Sequence, residues 1–499
     1  MNQRHPDMGR RTGRGGAAVL LAQVLKLIIQ TAATAVMARM LTPSDYGIIA
    51  MVTVVTGCVG LLKDMGLSVS VIQSPEITAA EINSLFWINI VIGLLLTVEG
   101  ILLAPLLAMF YGKPEVRGIC AILSISFLIN SVTAQQSALL QRNLQFRCLA
   151  TIDLASVAVA ALVGTLLAWR HWGYWALVAS LLAGQATALP LVWYCFRWMP
   201  GRPSISEAAR HIRFGGAATV GGVCAYIVRN LDNFLLGKYA SQTALGVYSK
   251  AYSLLLLPMQ LLSGPLSTVM LPVLSRLQDD ELRFKHYYLQ AIRLLAFAGM
   301  PLVGCLVVVA PEIVQIILGP RWHESATLFR LMSLGAWLGT FNIAIGWLLT
   351  STGKINRLLQ ISLLSAGLFA MGFTAALPWG ARGMAVAFSV CYLVLNLGIL
   401  TFGFRGTPVT ARGFVQTITF PALASVICSL AGLWIANQIA GGPWSRLIGL
   451  STLIFGLYAL CGISFRWGRA EMKETMGTLR KIASQFQTIN PLQTQDELP

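Results

Sequence analysis

Among the ionisable side chains inside apolar runs of about twenty residues, Lys26, Lys63, Asp64, Glu99, Arg229 and Asp232 stand out. An ionised group at a bilayer centre costs at least about 2.5–3.5 kcal/mol, so such groups face a wet cavity or a partner. Lys26, Lys63 and Arg229 are the candidate substrate-binding set. Together they would line a cavity with positive charge and suit an anionic substrate such as a pyrophosphate. Arginine offers a planar fork for phosphate oxygens, and lysine a mobile point charge. Asp64 and Asp232 are the candidate coupling or charge-pairing groups. They either hold the basic groups in place or take up a proton or cation during a working cycle.

A structural reading stands beside each assignment. Arg229 and Asp232 are three positions apart on one helical face and can simply pair. Lys63 and Asp64 near a helix end can reach the interface. Glu99, towards an outer interface, reads as structural. Other chemistry is poorly supported. The nine cysteines are scattered without a Cys-x-x-Cys pair, and the five histidines lie far apart, which argues against a metal centre. No catalytic constellation or cofactor motif stands out.

Composition dictates where these residues sit. Of 499 residues, 56% are hydrophobic and 11% charged, with mean hydropathy +0.70. Soluble domains carry roughly 25% charged residues. About fourteen apolar runs, from 16–39 and 46–72 to 412–437 and 445–467, are separated by short polar joins such as Leu41-Thr42-Pro43-Ser44-Asp45 and Gly441-Gly442-Pro443. The chain therefore reads as an all-α integral membrane protein. The net charge of +17 is spread over the joins, which argues against a nucleic-acid surface. With a cytoplasmic N-terminus, about 23 basic residues fall inside and about nine outside, so both termini are expected in the cytoplasm.

Similar segments recur at an offset of roughly 200 residues. Leu41–Ile48 lies opposite Ala240–Val247, Leu139–Asn143 opposite Leu348–Thr352, and Trp172–Ala176 opposite Trp379–Gly383. An even number of spans separates equivalent points, so the halves would be parallel repeats. The expected organisation is a cytoplasmic tail (1–15), a six-helix bundle (16–200), a linker (201–213), a second six-helix bundle (214–402), two accessory helices (403–467) and a cytoplasmic tail (468–499). Two such bundles around a central cavity suit a transporter more than an enzyme.

Specific motifs then become recognisable. Ala38-Arg39-Met40-Leu41-Thr42-Pro43-Ser44-Asp45-Tyr46-Gly47 resembles the loop after the first helix of polysaccharide flippases. Lys63-Asp64-Met65-Gly66-Leu67 through Gln73 resembles the end of their second helix. Arg229–Gly237 and Gly246–Tyr252 resemble the pattern around their helices seven and eight. The resemblance, over about residues 15–465, is to the Wzx-type branch of the multidrug/oligosaccharidyl-lipid/polysaccharide exporter superfamily.

The resemblance implies flipping of undecaprenyl-pyrophosphate-linked oligosaccharide from the cytoplasmic to the periplasmic leaflet of a bacterial inner membrane, for exopolysaccharide, capsule or O-antigen assembly. Implied partners are that polyprenyl-linked glycan, membrane lipids, a polysaccharide polymerase and a chain-length regulator, with a proton or sodium as coupling ion. The alternatives are an ion-coupled small-molecule antiporter of the same superfamily and a membrane polysaccharide polymerase or ligase. The antiporter would favour acidic cavity residues, and the enzyme would need a large external loop.

Overall fold

Short polar turns start several of the long helices. The computed structural model describes residues 7–63, 67, 68, 71, 77–203, 222, 223, 226–465, 468, 469, 473, 474 and 477, with no strand among them. The long helices are α1 (Asp7–Met40), α2 (Pro43–Gly60), α3 (Ala79–Tyr111), α4 (Glu115–Arg142), α5 (Phe146–Trp169), α6 (Tyr174–Cys195) and α7 (226–239). They continue with α8 (Gln242–Arg276), α9 (Glu281–Val308), α10 (His323–Ser351), α11 (Ile355–Ala376), α12 (Gly380–Gly398), α13 (Ala411–Ala436) and α14 (Pro443–Ser464). A short helix, Ala310–Ile317, lies between α9 and α10.

The protein is a multi-pass, all-helical membrane protein. Among the described residues, 11 helical stretches are long and apolar enough to cross a bilayer. The sequence leads one to expect about fourteen. Part of the difference is that Ile355–Gly403 is one 49-residue stretch holding both α11 and α12, joined by the turn Leu377–Trp379. In addition, α7 is described only from residue 226, and α8 is long enough on length alone, at 35 residues.

Capping explains several starts. Thr42 accepts a hydrogen bond from the Asp45 amide while Asp45 reaches back to the Thr42 amide, and Pro43 occupies the first turn of α2. Thr78 and Glu81 make the same reciprocal pair at α3. Asp280 and Thr410 cap α9 and α13. Gly112, at φ 64°, closes α3 in the left-handed region.

The chain forms two compact units, residues 1–246 and 247–499, with the boundary inside α8. In the first unit, α3 and α4 pack antiparallel through small residues. A Cβ on Gly93 would lie 2.2 Å from Ser131 Oγ, and one on Gly100 would lie 2.2 Å from Ser124 Oγ. Such spacing lets helix backbones approach where lipid supplies no hydrophobic drive. In the second unit, Phe284, Tyr288, Ile292, Leu295, Trp347, Leu348 and Phe414 anchor a core shared by α9, α10 and α13.

The repeat seen in the sequence recurs in the backbone. Gly173 (φ 55°, ψ −137°) and Gly380 (φ 58°, ψ −145°) precede α6 and the body of α12 with nearly the same dihedrals. Gln145 (φ −83°, ψ 51°) matches Lys354 (φ −87°, ψ 48°), and before them Leu144 (φ 55°) matches Gly353 (φ 69°). Thr42 caps α2, and Ser241 accepts from the Ala244 amide at the start of α8 in the same way.

Candidate functional site

α1 carries Lys26 to α5, where its Nζ lies 3.1 Å from Asp153 Oδ2. Both side chains open on a pocket of about 110 Å³ between these helices, also lined by Gln23, Phe146 and Leu149. Asp153 was not singled out from the sequence. The available signal is simple: it is a lone acid in the apolar run 149–169, two turns inside α5.

Lys63 follows α2 rather than lying within it. The second apolar run was expected to continue as helix to residue 72, but α2 ends at Gly60 and Leu61-Leu62-Lys63 form a turn. The amides of Leu61, Leu62 and Lys63 bond back to Cys58, Val59 and Gly60, the tighter pattern of a closing helix. The residues Leu61 and Leu62 are apolar, so hydropathy does not register the stop. Lys63 is half-buried there. Asp64 lies outside the described residues.

α7 brings Arg229 and Asp232 into the first unit in different environments. Arg229 is exposed, and Asp232 is 1% exposed. Asp232 Oδ1 accepts from the Asn233 amide at 2.7 Å and from Asn233 Nδ2 at 3.3 Å. Asn230 donates to the Tyr226 carbonyl at 2.9 Å. α7 lies antiparallel to α2. Tyr226 donates to the Thr53 carbonyl and fills the space beside Gly57, while Gly237 sits against Met51 and Tyr111. Lys63 follows the C-terminal end of α2, and Arg229 lies about one turn after Tyr226 on α7. Neither lines the pocket at Lys26. All three basic candidates lie in one compact unit. Glu99 is exposed on α3, on the side that carries Leu95, Val98 and Leu102.

The second unit holds a charged cluster that sequence reading also missed. Glu312, on the short helix, is 5% exposed, and its Oε1 lies 2.9 Å from Arg446 Nε on α14. Arg446 also donates to the Ala436 carbonyl at the end of α13. Nearby, Arg330 donates to the Val307 and Val308 carbonyls that end α9. These guanidiniums satisfy helix-terminal carbonyls, where cations are favoured. The cluster therefore joins helix ends and reads as structural. No group of three or more His, Cys, Asp or Glu residues suited to a metal occurs among the described residues.

The profile of the family described as "Polysaccharide biosynthesis protein" matches residues 36–327. The chain is 23% identical over 448 residues to the "Lipopolysaccharide biosynthesis protein WzxC" of Escherichia coli (strain K12), covering 87% of this chain and 90% of that one. Its fold resembles that of "Lipid II flippase MurJ, inward closed conformation", with a TM-score of 0.69 at 14% identity over 90% of this chain and 97% of that one. It also resembles the inward-facing structure of a multidrug resistance MATE family transporter of the MOP superfamily, with a TM-score of 0.61 at 12% identity over 79% and 96% of the two chains. The likeness extends over most of each chain, so it concerns the whole helical architecture.

Proposed function

The chain belongs to the polysaccharide biosynthesis protein family, and from that premise we propose that it moves a lipid-linked glycan across the membrane as a transporter, not as an enzyme. The proposed substrate is undecaprenyl-pyrophosphate-linked oligosaccharide, carried by alternating access from the cytoplasmic to the periplasmic leaflet of a bacterial inner membrane. The product would feed exopolysaccharide, capsule or O-antigen assembly, with a polysaccharide polymerase and a chain-length regulator downstream. The distribution of Lys and Arg supports cytoplasmic termini.

The observation that carries this reading is the presence of Lys26, Lys63 and Arg229, all basic, in the apolar first unit. Pyrophosphate and sugars cannot enter hydrocarbon at tolerable cost, whereas the polyprenyl tail can stay in lipid. A hydrated basic passage lowers the barrier for the headgroup alone. Buried Asp232 is the proposed site for a coupling proton or sodium, with Asp64 as a second acid on the sequence evidence.

The test is reconstitution. Proteoliposomes would be loaded with fluorescent polyprenyl-pyrophosphate-linked oligosaccharide, and a membrane-impermeant quencher would report leaflet exchange. The reading expects protein-dependent exchange that is reduced at least about tenfold by Arg229→Ala, the scale of losing one charge-assisted contact. Exchange equal to protein-free vesicles would overturn it.

A further inference from the structure

We propose that Asp153 is a releasable counter-ion for Lys26: it competes with the anionic headgroup for the ammonium and takes it back when the headgroup leaves. The proposal rests on the functional reading above and deepens it.

Geometry separates this pair from the structural one in the second unit. The two cations are alike, with Arg446 at 31% side-chain exposure, but Glu312 keeps only 6%, and Arg446 is fixed on a backbone carbonyl as well. Lys26 and Asp153 keep side-chain exposures of 29% and 58% and meet at the mouth of a pocket. An acid whose only task was to neutralise its partner would be covered, as Glu312 is. This one is open to a ligand.

Donor arithmetic points the same way. An ammonium has three N–H donors. Lys26 spends one, on Asp153 Oδ2. The others remain available to phosphate oxygens while the first contact holds. Lysine is a compact charge on a flexible four-carbon stem, so it can shift from carboxylate to phosphate without moving a helix. The neighbouring pocket wall combines Gln23, a polar hydrogen-bonding group, with Phe146 and Leu149, which suits a headgroup attached to a lipid.

Asp153 then acts in both directions. Its negative charge repels a diphosphate, which weakens binding, and it offers the ammonium an alternative partner, which speeds release. A carrier that held its anion on an uncontested lysine would bind tightly and turn over slowly. Asp153 is a positioning residue in this account, because its effect on the ligand passes through Lys26.

A double-mutant cycle tests this. Full-length detergent-purified protein would be titrated with farnesyl pyrophosphate as a short soluble probe, using wild type, Asp153→Asn, Lys26→Gln and the double variant, each checked for monodispersity. The expected result is about fivefold tighter binding by Asp153→Asn, the scale of one part-exposed ion pair. Lys26→Gln should bind more weakly, and Asp153→Asn should add no gain on that background. In the vesicle exchange assay, Asp153→Asn should lower KM and kcat together, and Asp153→Glu should restore both. Unchanged or weaker binding by Asp153→Asn, or a gain that persists without Lys26, would overturn the inference. A clean binding cycle with no protein-dependent exchange would instead overturn the transport reading and leave an anion site. Normal exchange without coupling in the cycle would sink the counter-ion alone.

Discussion

At the scale of single residues, the informative distinction is between charges that are sealed and charges that are open. Glu312 is sealed against Arg446, whose own side chain is 31% exposed. Removing the carboxylate leaves a part-exposed Arg446 held on the Ala436 carbonyl, so Glu312→Gln should destabilise the protein by about 1 kcal/mol, seen as a lower Tm in detergent. Replacing both, as Glu312→Leu with Arg446→Met, should recover much of that loss; an additive double variant would show that the pair is not a unit. Asp232 is buried as well, and its Oδ1 accepts from the Asn233 amide and side chain. Asp232→Asn keeps the shape and removes the charge. It is expected to leave protein levels intact and to abolish the dependence of exchange on an imposed proton or sodium gradient. Retained dependence would remove Asp232 from the coupling role.

At the scale of elements, the first turns of α2 and α8 meet through two glycines at equivalent repeat positions. A Cβ on Gly47 would lie 1.9 Å from the Gln242 carbonyl oxygen, and one on Gly246 would lie 1.8 Å from that of Pro43. Ser44 donates to the Gln242 side chain at 2.9 Å across the same crossing. No rotamer relieves a clash with backbone, so Gly47→Val and Gly246→Val should each abolish complementation and lower Tm. Gly346→Ala, with nothing within 4 Å of the new Cβ, should be tolerated. Leu144 provides a test of opposite sign. It holds φ 55°, where its counterpart Gly353 holds φ 69°. Leu144 is 57% exposed, so Leu144→Gly should gain about 1 kcal/mol from relieved backbone strain, read as a raised Tm.

These elements also show what the sequence made legible. The Gly47/Gly246 and Gly173/Gly380 correspondences stood out because turn chemistry is local and glycine marks it. The stop at Gly60 did not, because Leu61 and Leu62 continue the hydropathy of α2. Asp153 and Glu312 were passed over for a related reason. Apolar periodicity shows which residues are within a span, but the pairing of Lys26 with Asp153 joins positions 127 apart and exists only once α1 lies on α5.

At the scale of the whole molecule, the chain is a multi-pass helical membrane protein of the polysaccharide biosynthesis family, and the proposed cargo rests on the charges in its apolar runs. The most direct measurement is the leaflet in which the lipid-linked glycan is exposed, in intact spheroplasts of a strain lacking this protein. The account predicts accumulation on the cytoplasmic face, relieved by the wild-type chain and not by Arg229→Ala at equal expression. Normal arrival at the outer face, with the glycan left unpolymerised, would contradict it and point to a role in polymerisation.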